Sequence, residues 1–490
     1  MADFISLDGK LVKDQVLQDG IEDIEDEMHT SHILGLYADF DESTFTRLFA
    51  AKGLTAGSDF DAFGMYGQRR LCNVADDGTI TAWYGDENYT ETGYTTITDP
   101  QTQQETTIQV QVMVRQPKFW YKVVPIETEE ITSDDPTQTG VHGYSGVRMK
   151  YYIADRPIPG FKLHPAFINA NGDEVDCYYI GAYEACLYDV SESEYRLYDS
   201  WQVTYDSETG TYTVVATNTY PASTSDKLSS IAGVKPASGQ SSSVFKRANV
   251  STMARNRGAG WDNLNIKILS AEQLLMAIEY ASFNSQASVG TGIVSYADGK
   301  TYNLSAFTGS TYSIGNGSGE AASTLRLQNN GTLNTYTSSG YVSVKYRGVE
   351  NHWGNIWKYI SGVSVWGDGT MGSGEAYICD DFAYAENRKD ENYKPAGYTL
   401  EYSTGNTYIR YFGYSSDHDW LFMSTKNNGN SSLPVGDSQT TSENLNGFML
   451  WQHGNRWDTT NITSAGVFNA GLYNDPTYRG RVLGARLIKV

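Results

Sequence analysis

Short, sharply bounded strand-forming runs constrain this chain more than any other feature. IQVQVMV (108–114) alternates with period 2, and FWYKVV (119–124) follows it after a Pro-Lys turn. MKYYIA (149–154), CYYIGAY (177–183), WQVTYD (201–206) and YTVVAT (212–217) are β-branched and aromatic, and Gly, Pro, Asp or Ser bounds each of them. Earlier, the pattern predicts strands near Arg70–Val74 and Ile80–Tyr84 and a helical stretch near Phe45–Ala51. Residues 86–106 are Thr-rich and poor in apolar side chains, which suits an exposed hairpin or linker. Residues 221–243, rich in Ser, Ala and Gly, read as a long surface loop, and 285–345 read as Gly/Ser/Thr-rich hairpins. No fixed-period repeat of the solenoid or propeller kind is present.

Helical signals are few. In SAEQLLMAIEYAS (270–282), Ser270 has the chemistry of an N-cap and Gln273 stands at capping-box spacing. Leu274, Leu275, Ile278 and Ala281 would form one apolar face. Leu17, Ile21, Ile24 and Met28 are spaced as an a/d seam over two heptads, with Gly20 weakening the helix. That segment fits either an ordinary surface helix or a short oligomerising stalk. The pattern as a whole predicts an α+β chain with many hairpins and long loops. It divides into a helical segment at 1–30, a small mixed unit at 31–105 and a large domain at 106–490.

Composition excludes several classes. The chain carries 36 Lys+Arg against 58 Asp+Glu, a formal net charge of −22, which opposes non-specific binding to nucleic acid or to an anionic membrane. No apolar run approaches the ~18–20 residues that span a bilayer, so membrane insertion is not expected. MADFISLDGKLVKDQ lacks a basic region followed by an apolar one, so no secretory signal is expected, and synthesis would take place in a reducing cytoplasm. Cys72, Cys177, Cys186 and Cys379 are too scattered for a disulfide framework or a zinc knuckle. The polar residues are weighted towards 48 Gly and 36 Tyr together with Ser, Thr and Asn, a mixture resembling antibody combining loops.

Catalytic patterns are weak. The histidines (29, 32, 142, 164, 352, 418 and 453) show no HExxH or paired ligand spacing, and His29 and His32 read as a solvated pair. Asp417-His418-Asp419-Trp420 reads as an acidic turn. No Gly-x-Ser-x-Gly elbow or phosphate-cradling loop occurs. Gly367-Asp368-Gly369-Thr370 offers oxygen ligands to a structural calcium but lacks EF-hand spacing, and no cofactor is expected. Trp353, Trp357, Trp366 and Trp420 are read as framework, and Cys379 as a small buried hydrophobe.

Three stretches in order carry a family resemblance. KILSAEQLLMAIEYA (267–281) resembles the helix that opens the core of formylglycine-generating-enzyme-type domains, a branch of the C-type lectin fold. YRGVENHWGNIWKYISG (346–362) resembles that family's Gly-Asn-x-Trp segment, here Gly354, Asn355 and Trp357. Residues 454–490 resemble its closing strands, with Arg456-Trp457 and Gly484-Ala485-Arg486-Leu487. PKFWYKV (117–123), GFKLHPAF (160–167) and YYIGAYEA (178–185) resemble phage and prophage tail proteins carrying this fold, so the likeness spans about 106–490.

The tail is also similar to retroelement-diversified major tropism determinant proteins. Ala465-Gly466-Val467-Phe468 and Gly484-Ala485-Arg486-Leu487 stand at that family's separation, with Arg479 and Arg481 between them. The resemblance implies variable, ligand-contacting positions at Asn469, Ala470, Gly471, Tyr473, Asn474, Tyr478, Gly480 and Val482. All eight are reachable by scrambling the adenines of an Asn codon. His453, Asn455, Thr459 and Thr460 are expected to join the same surface, while Arg456 and Arg486 are read as structural. The implied protein is a homotrimeric viral tail protein in the virion, which binds a bacterial cell-surface protein or glycan and attaches to other tail proteins through its N-terminal part. An oxidoreductase reading lacks the cysteine pair of formylglycine-generating enzymes, since only Cys379 lies beyond residue 186. A polysaccharide-cleaving tail enzyme and a purely structural baseplate protein are also compatible with the residue pattern.

Overall fold

The computed structural model describes residues 4–5, 11–12, 30–98, 101–132, 139–196, 201–206, 211–216, 223–239, 244–295, 305–326, 333–369, 374–379, 392–401, 407–441, 446–459 and 461–490. The seam Leu17–Met28, His29, Thr370 and Thr460 lie outside them. Strands dominate, and three large sheets organise them.

In the first sheet, Val141–Ala154 pairs along its length with Trp120–Thr132. Its other edge takes Ile33–Asp39 and, further along, Tyr411–Tyr414. Ile33–Asp39 in turn pairs with Thr44–Phe49, so the helical stretch expected near Phe45–Ala51 is a strand. Its alternation of Thr and aromatic or Leu residues suits a half-exposed edge, and Phe45 packs against Phe40 and Phe283.

The second sheet is built on Glu105–Pro117, which pairs with Arg70–Ala75, Tyr94–Thr98 and Cys177–Gly181. Leu487–Lys489 joins Cys177–Gly181 to Trp261–Asn263. The Thr-rich arm is therefore a hairpin strand, and the division expected at residue 105 runs through the main-chain pairing of both sheets. A chain whose early strands complete later sheets has no linker there.

The third sheet carries the C-terminal segment. Trp357–Asp368 pairs with Glu375–Cys379 and Asn446–His453, and runs parallel to Leu483–Gly484. Ala470–Leu472 lies between Asn446–His453 and Ser438–Thr441.

The principal helix is Ile266–Tyr280, and residues 266–279 are all buried. It begins four residues before the expected Ser270. Asn265 is the N-cap, its Oδ1 accepting from the Ile268 amide at 3.0 Å, while Ser270 sits inside the helix and donates to the Lys267 carbonyl. Gln273 reaches the Val467 carbonyl at 2.8 Å instead of a cap, and Ala281 closes the helix at φ 46°. The expected single apolar face is a helix enclosed on all sides, so its polar residues serve buried ion pairs. A second helix, Arg247–Arg255, was not legible in the sequence.

Glu272 of the enclosed helix receives both arms of Arg69, at 2.6 and 2.8 Å, and the Tyr178 hydroxyl at 2.7 Å. Burial works to raise its carboxyl, but Arg69 and His352 outweigh burial and hold it well below the carboxylate range. Glu279 takes the Arg347 fork at 2.7 Å on each oxygen and the Tyr346 hydroxyl at 3.0 Å. The helix is thus fixed to Arg69 on the second sheet's side and to Arg347 beside it.

The segment 221–243, expected as a surface loop, is largely buried over its described part. Ser230 donates to the Val112 carbonyl at 2.8 Å, and its amide donates to Gln111 Oε1 at 2.9 Å. Small side chains let this backbone lie directly on the second sheet.

Candidate ligand-binding face

The motifs that carry the resemblance fold into rigid supports. Gly354 and Asn355 are both left-handed, at φ 77° and 61°. A Cβ at Gly354 would lie 2.8 Å from the Ile293 amide nitrogen, so that turn requires glycine. Asn355 donates from Nδ2 to Glu184, and its Oδ1 accepts from the Ala306 amide at 2.7 Å. Glu184 also holds Lys358 Nζ at 2.8 Å, and burial lowers that ammonium to about 8 despite the carboxylate. Arg486 is fully buried and donates to the carbonyls of Gly181, Glu350 and Asn351 at 2.7, 2.6 and 3.0 Å, the structural role expected of it. Ala465, Val467 and Phe468 are buried, and a Cβ at Gly466 would overlap the Asp437 carboxylate.

Those anchors fix where the expected contact positions fall, and they separate the positions into two groups. His453 ends the strand Asn446–His453, wholly buried, with its ring against His352. Asn455, at φ 67°, donates to Ser464 Oγ at 2.7 Å. Thr459 is 8% exposed and closes a turn with Asn461. Asn469 Nδ2 donates to the Ser438 and Ser464 carbonyls at 2.8 and 2.9 Å. Ala470 and Gly471 are buried inside the third sheet, with strands on both sides. Gly480 is buried and its carbonyl accepts from the Gly239 amide. Val482 is 4% exposed and packs in the same core as Trp457. His453, Ala470 and Gly471 lie in strands paired on both sides, while Asn455, Thr459, Asn469, Gly480 and Val482 are turned inward by the packing and hydrogen bonds of the loops between strands.

The second group reaches solvent. Tyr473 is 37% exposed and follows directly on the buried strand Ala470–Leu472. Asn474 and Tyr478 are half-buried. Asn474 is held from both ends, its Nδ2 donating to Gln452 Oε1 at 3.2 Å and its carbonyl accepting from the Leu450 amide at 2.9 Å. The Tyr478 carbonyl accepts from the Tyr359 hydroxyl at 2.9 Å, and its half-buried ring packs against the core that holds Trp457.

Charged residues that the contact pattern did not single out complete this face. Arg456 Nε meets Asp458 Oδ1 at 2.6 Å. Arg481 lies 5.6 Å over the Trp457 ring. Burial raises the Asp458 carboxyl even though Arg456 and Arg481 oppose it. Burial likewise raises the Tyr473 hydroxyl, with Arg456 again opposing, so tyrosine, arginine and aspartate share one neighbourhood. Arg479 is exposed. Arg456, Arg479 and Arg481 against Asp458 and Asp475 leave the face locally cationic in a chain of net charge −22. The signal in the sequence was the run Tyr478-Arg479-Gly480-Arg481, where only Gly480 is buried.

The chemistry of such a face suits binding. Two tyrosines on a fixed backbone give rigid amphipathic area, and guanidinium groups give planar donors for carboxylates, phosphates and hydroxyls. The thiols lie elsewhere: burial raises Cys72 and Cys186 to about 12, and Cys379 is buried between Tyr377 and Tyr393. A thiol so shifted is a poor nucleophile. The acidic turn is an anchor, with Asp419 accepting from the Tyr121 hydroxyl at 2.6 Å and from Lys162 at 2.9 Å. His32 faces Asp155 at 3.4 Å. Gly367 and Asp368 end the strand opposite Gly447 and Asn446. Among the described residues, no three His, Cys, Asp or Glu side chains gather as a metal-ligand group, and no helix is long and apolar enough to cross a membrane.

No family model and no curated protein matches the sequence. Among solved structures, the chain is similar to a Major Tropism Determinant U1 Variant, at 12% identity over 91% of this chain and 77% of that one, with a TM-score of 0.25. The functional reading rests on the residues of this chain.

Proposed function

We propose that the chain is a phage tail receptor-binding protein whose Tyr473–Arg481 face, on a lectin-type C-terminal domain, contacts a ligand on the bacterial surface. The observation that carries this reading is the pairing of a Tyr/Arg cluster at the surface with backbone held by hydrogen bonds to the strands beneath it. Between Tyr473 and Tyr478, the Asn474 carbonyl is held by the Leu450 amide and its side chain by Gln452, and the Tyr478 carbonyl is held by the Tyr359 hydroxyl. A rigid aromatic contact surface loses little entropy on binding.

The set of positions free to vary narrows to Tyr473, Asn474, Tyr478 and the flanking exposed residues. Changing Asn469, Gly471, Gly480 or Val482 would disturb the core. The same reading makes the chain a homotrimer in the virion, since several copies raise weak single-site affinity through effective concentration. Residues 1–30 are then the segment that attaches to the other tail proteins. An adsorption-competition experiment tests the proposal. Purified full-length chain, added in excess to host cells, should protect them from the phage, and a chain carrying Tyr473→Ala and Tyr478→Ala should not. Equal protection by both chains would reject the assigned face, and protection by neither would reject the receptor-binding role.

A further inference from the structure

The charges of the Tyr473–Arg481 face are not equally committed. Asp458 meets Arg456 at 2.6 Å, so that pair neutralises itself. Asp475 is exposed, but its Oδ1 accepts from the Thr477 amide at 2.8 Å and the Thr477 hydroxyl at 2.6 Å, which closes its own turn. Arg479 differs from all of these. It is exposed, and among the described residues no carboxylate pairs with it and no hydrogen bond holds its head. Its root is nevertheless fixed. A Cβ added at Gly239 would lie 2.9 Å from the Arg479 Cβ, and the Gly239 amide donates to the Gly480 carbonyl at 3.1 Å. On the other side, the Tyr359 hydroxyl holds the Tyr478 carbonyl at 2.9 Å. A guanidinium with an anchored root and no counter-ion gives up little backbone freedom when it meets an anion.

Arg481 supplies a second guanidinium. Its α-carbon is two residues on, so the two roots are no more than about 7 Å apart. Its head lies 5.6 Å over the Trp457 ring. Two planar forks rooted this closely suit phosphate or carboxylate oxygens, which they can take bidentately. Size decides between a glycan and a protein. From Tyr473 to Arg481 only Tyr473, Asp475, Thr477 and Arg479 are exposed, whereas a protein partner covers ~20–30 residues a side. So small a cluster matches one or two sugars with a charged substituent, and the tyrosine rings offer apolar faces to sugar C–H groups. The chain as a whole, at net charge −22, repels an anion, which favours approach by this face. We propose that the Tyr473–Arg481 face binds an acidic surface glycan, with Arg479 pairing with a phosphate or carboxylate group of the sugar and Arg481 beside it. This rests on the receptor-binding reading and adds the charge and class of the ligand.

Cosedimentation of the full chain with host cells tests the charge apart from the face. Binding should weaken by roughly tenfold or more as NaCl rises from about 0.05 to about 0.5 M. Arg479→Glu should weaken binding at low salt by at least roughly tenfold with an unchanged melting temperature, and Arg479→Lys should keep part of it. Polyphosphate or polygalacturonate should compete while uncharged dextran does not, and the better competitor tells phosphate from carboxylate. Periodate-oxidised cells should lose binding and protease-treated cells should keep it. Salt-independent binding, Arg479→Glu binding as the parent does, or competition by neither polyanion would each overturn the proposal. If Tyr473→Ala with Tyr478→Ala still loses binding in that case, the face stands and only the anionic ligand is rejected; if it does not, the face is rejected as well. Binding that survives periodate but not protease would assign the face to an acidic protein and overturn the glycan assignment.

Discussion

His352 Nδ1 and His453 Nε2 lie 3.2 Å apart in the interior, one ring edge-on to the other. A hydrogen bond between them needs one nitrogen protonated and the other bare, so at least one ring must be neutral. Burial lowers both imidazoles below their ordinary value. For His352 it outweighs Glu272, whose oxygen lies 3.6 Å from Nε2, and for His453 it is reinforced by His352, Lys358 and Arg486. Burial also lowers His164, to about 3.

These shifts set a direction for stability against pH. Unfolded histidines take up protons near their ordinary value of 6.5, while the folded ones resist. Stability is therefore full above about pH 6.5 and falls as pH drops below it, by up to about 1.4 kcal/mol per pH unit for each imidazole. Urea midpoints measured from about pH 7.5 to about pH 5 should decline, and His453→Gln should flatten that decline. A midpoint independent of pH over the window contradicts the assignment of neutral buried rings.

Glu272, whose carboxyl is held low, adds a second, more acidic loss that begins near its ordinary value of 4.5. At neutral pH, Glu272→Gln should cost about 3–5 kcal/mol, because it leaves the Arg69 guanidinium buried without its counter-ion. Replacing both partners, Arg69→Met with Glu272→Leu, should recover most of that loss in urea unfolding.

Gly466→Ala has no room for its methyl against Asp437. That carboxyl is raised well above the usual range by burial, and it accepts from the Phe468 amide at 2.9 Å and from the Ser285 hydroxyl at 3.1 Å. The substitution should destabilise by roughly 1–3 kcal/mol or more, read as a lower melting temperature, and the loss of stability should exceed that from any single change at Tyr473.

Tyr473→Ala with Tyr478→Ala should lower stability modestly, by about 1–2 kcal/mol, because Tyr478 packs against the core around Trp457, yet cut binding to host cells by roughly 30-fold. Val482→Asn should show the opposite balance, lowering stability by placing an amide in the core beside Trp457. If the two variants lose binding only in proportion to their loss of fold, the face is not the contact surface.

The strands were legible because their signal is local. Period-2 alternation and β-branched runs marked 108–114, 119–124 and 149–154, and each lies inside a strand or at its edge. The helix was legible as well, but not its start. Asn265 competes with Ser270 for the cap only through the position of the enclosing sheets, which local sequence does not encode. Phe45–Ala51 misled because Phe, Leu and Ala also satisfy helical spacing, and the neighbouring strand Ile33–Asp39 decides the matter.

The site divides the same way. The sequence by itself determined that the last residues carry fixed anchors, Gly466 and Arg486, interleaved with Tyr, Asn and small residues. Which of those interleaved positions face outward was decided only by the tertiary structure. Ala470 and Gly471 are interior because strands 438–441 and 446–453 flank them, and these pairing partners stand about 20 to 30 residues away in the chain. Tyr473 is exposed because it lies just beyond that pairing. Burial is a property of the neighbours that folding brings, so a residue's own letter names its chemistry but not whether water or another strand will meet it.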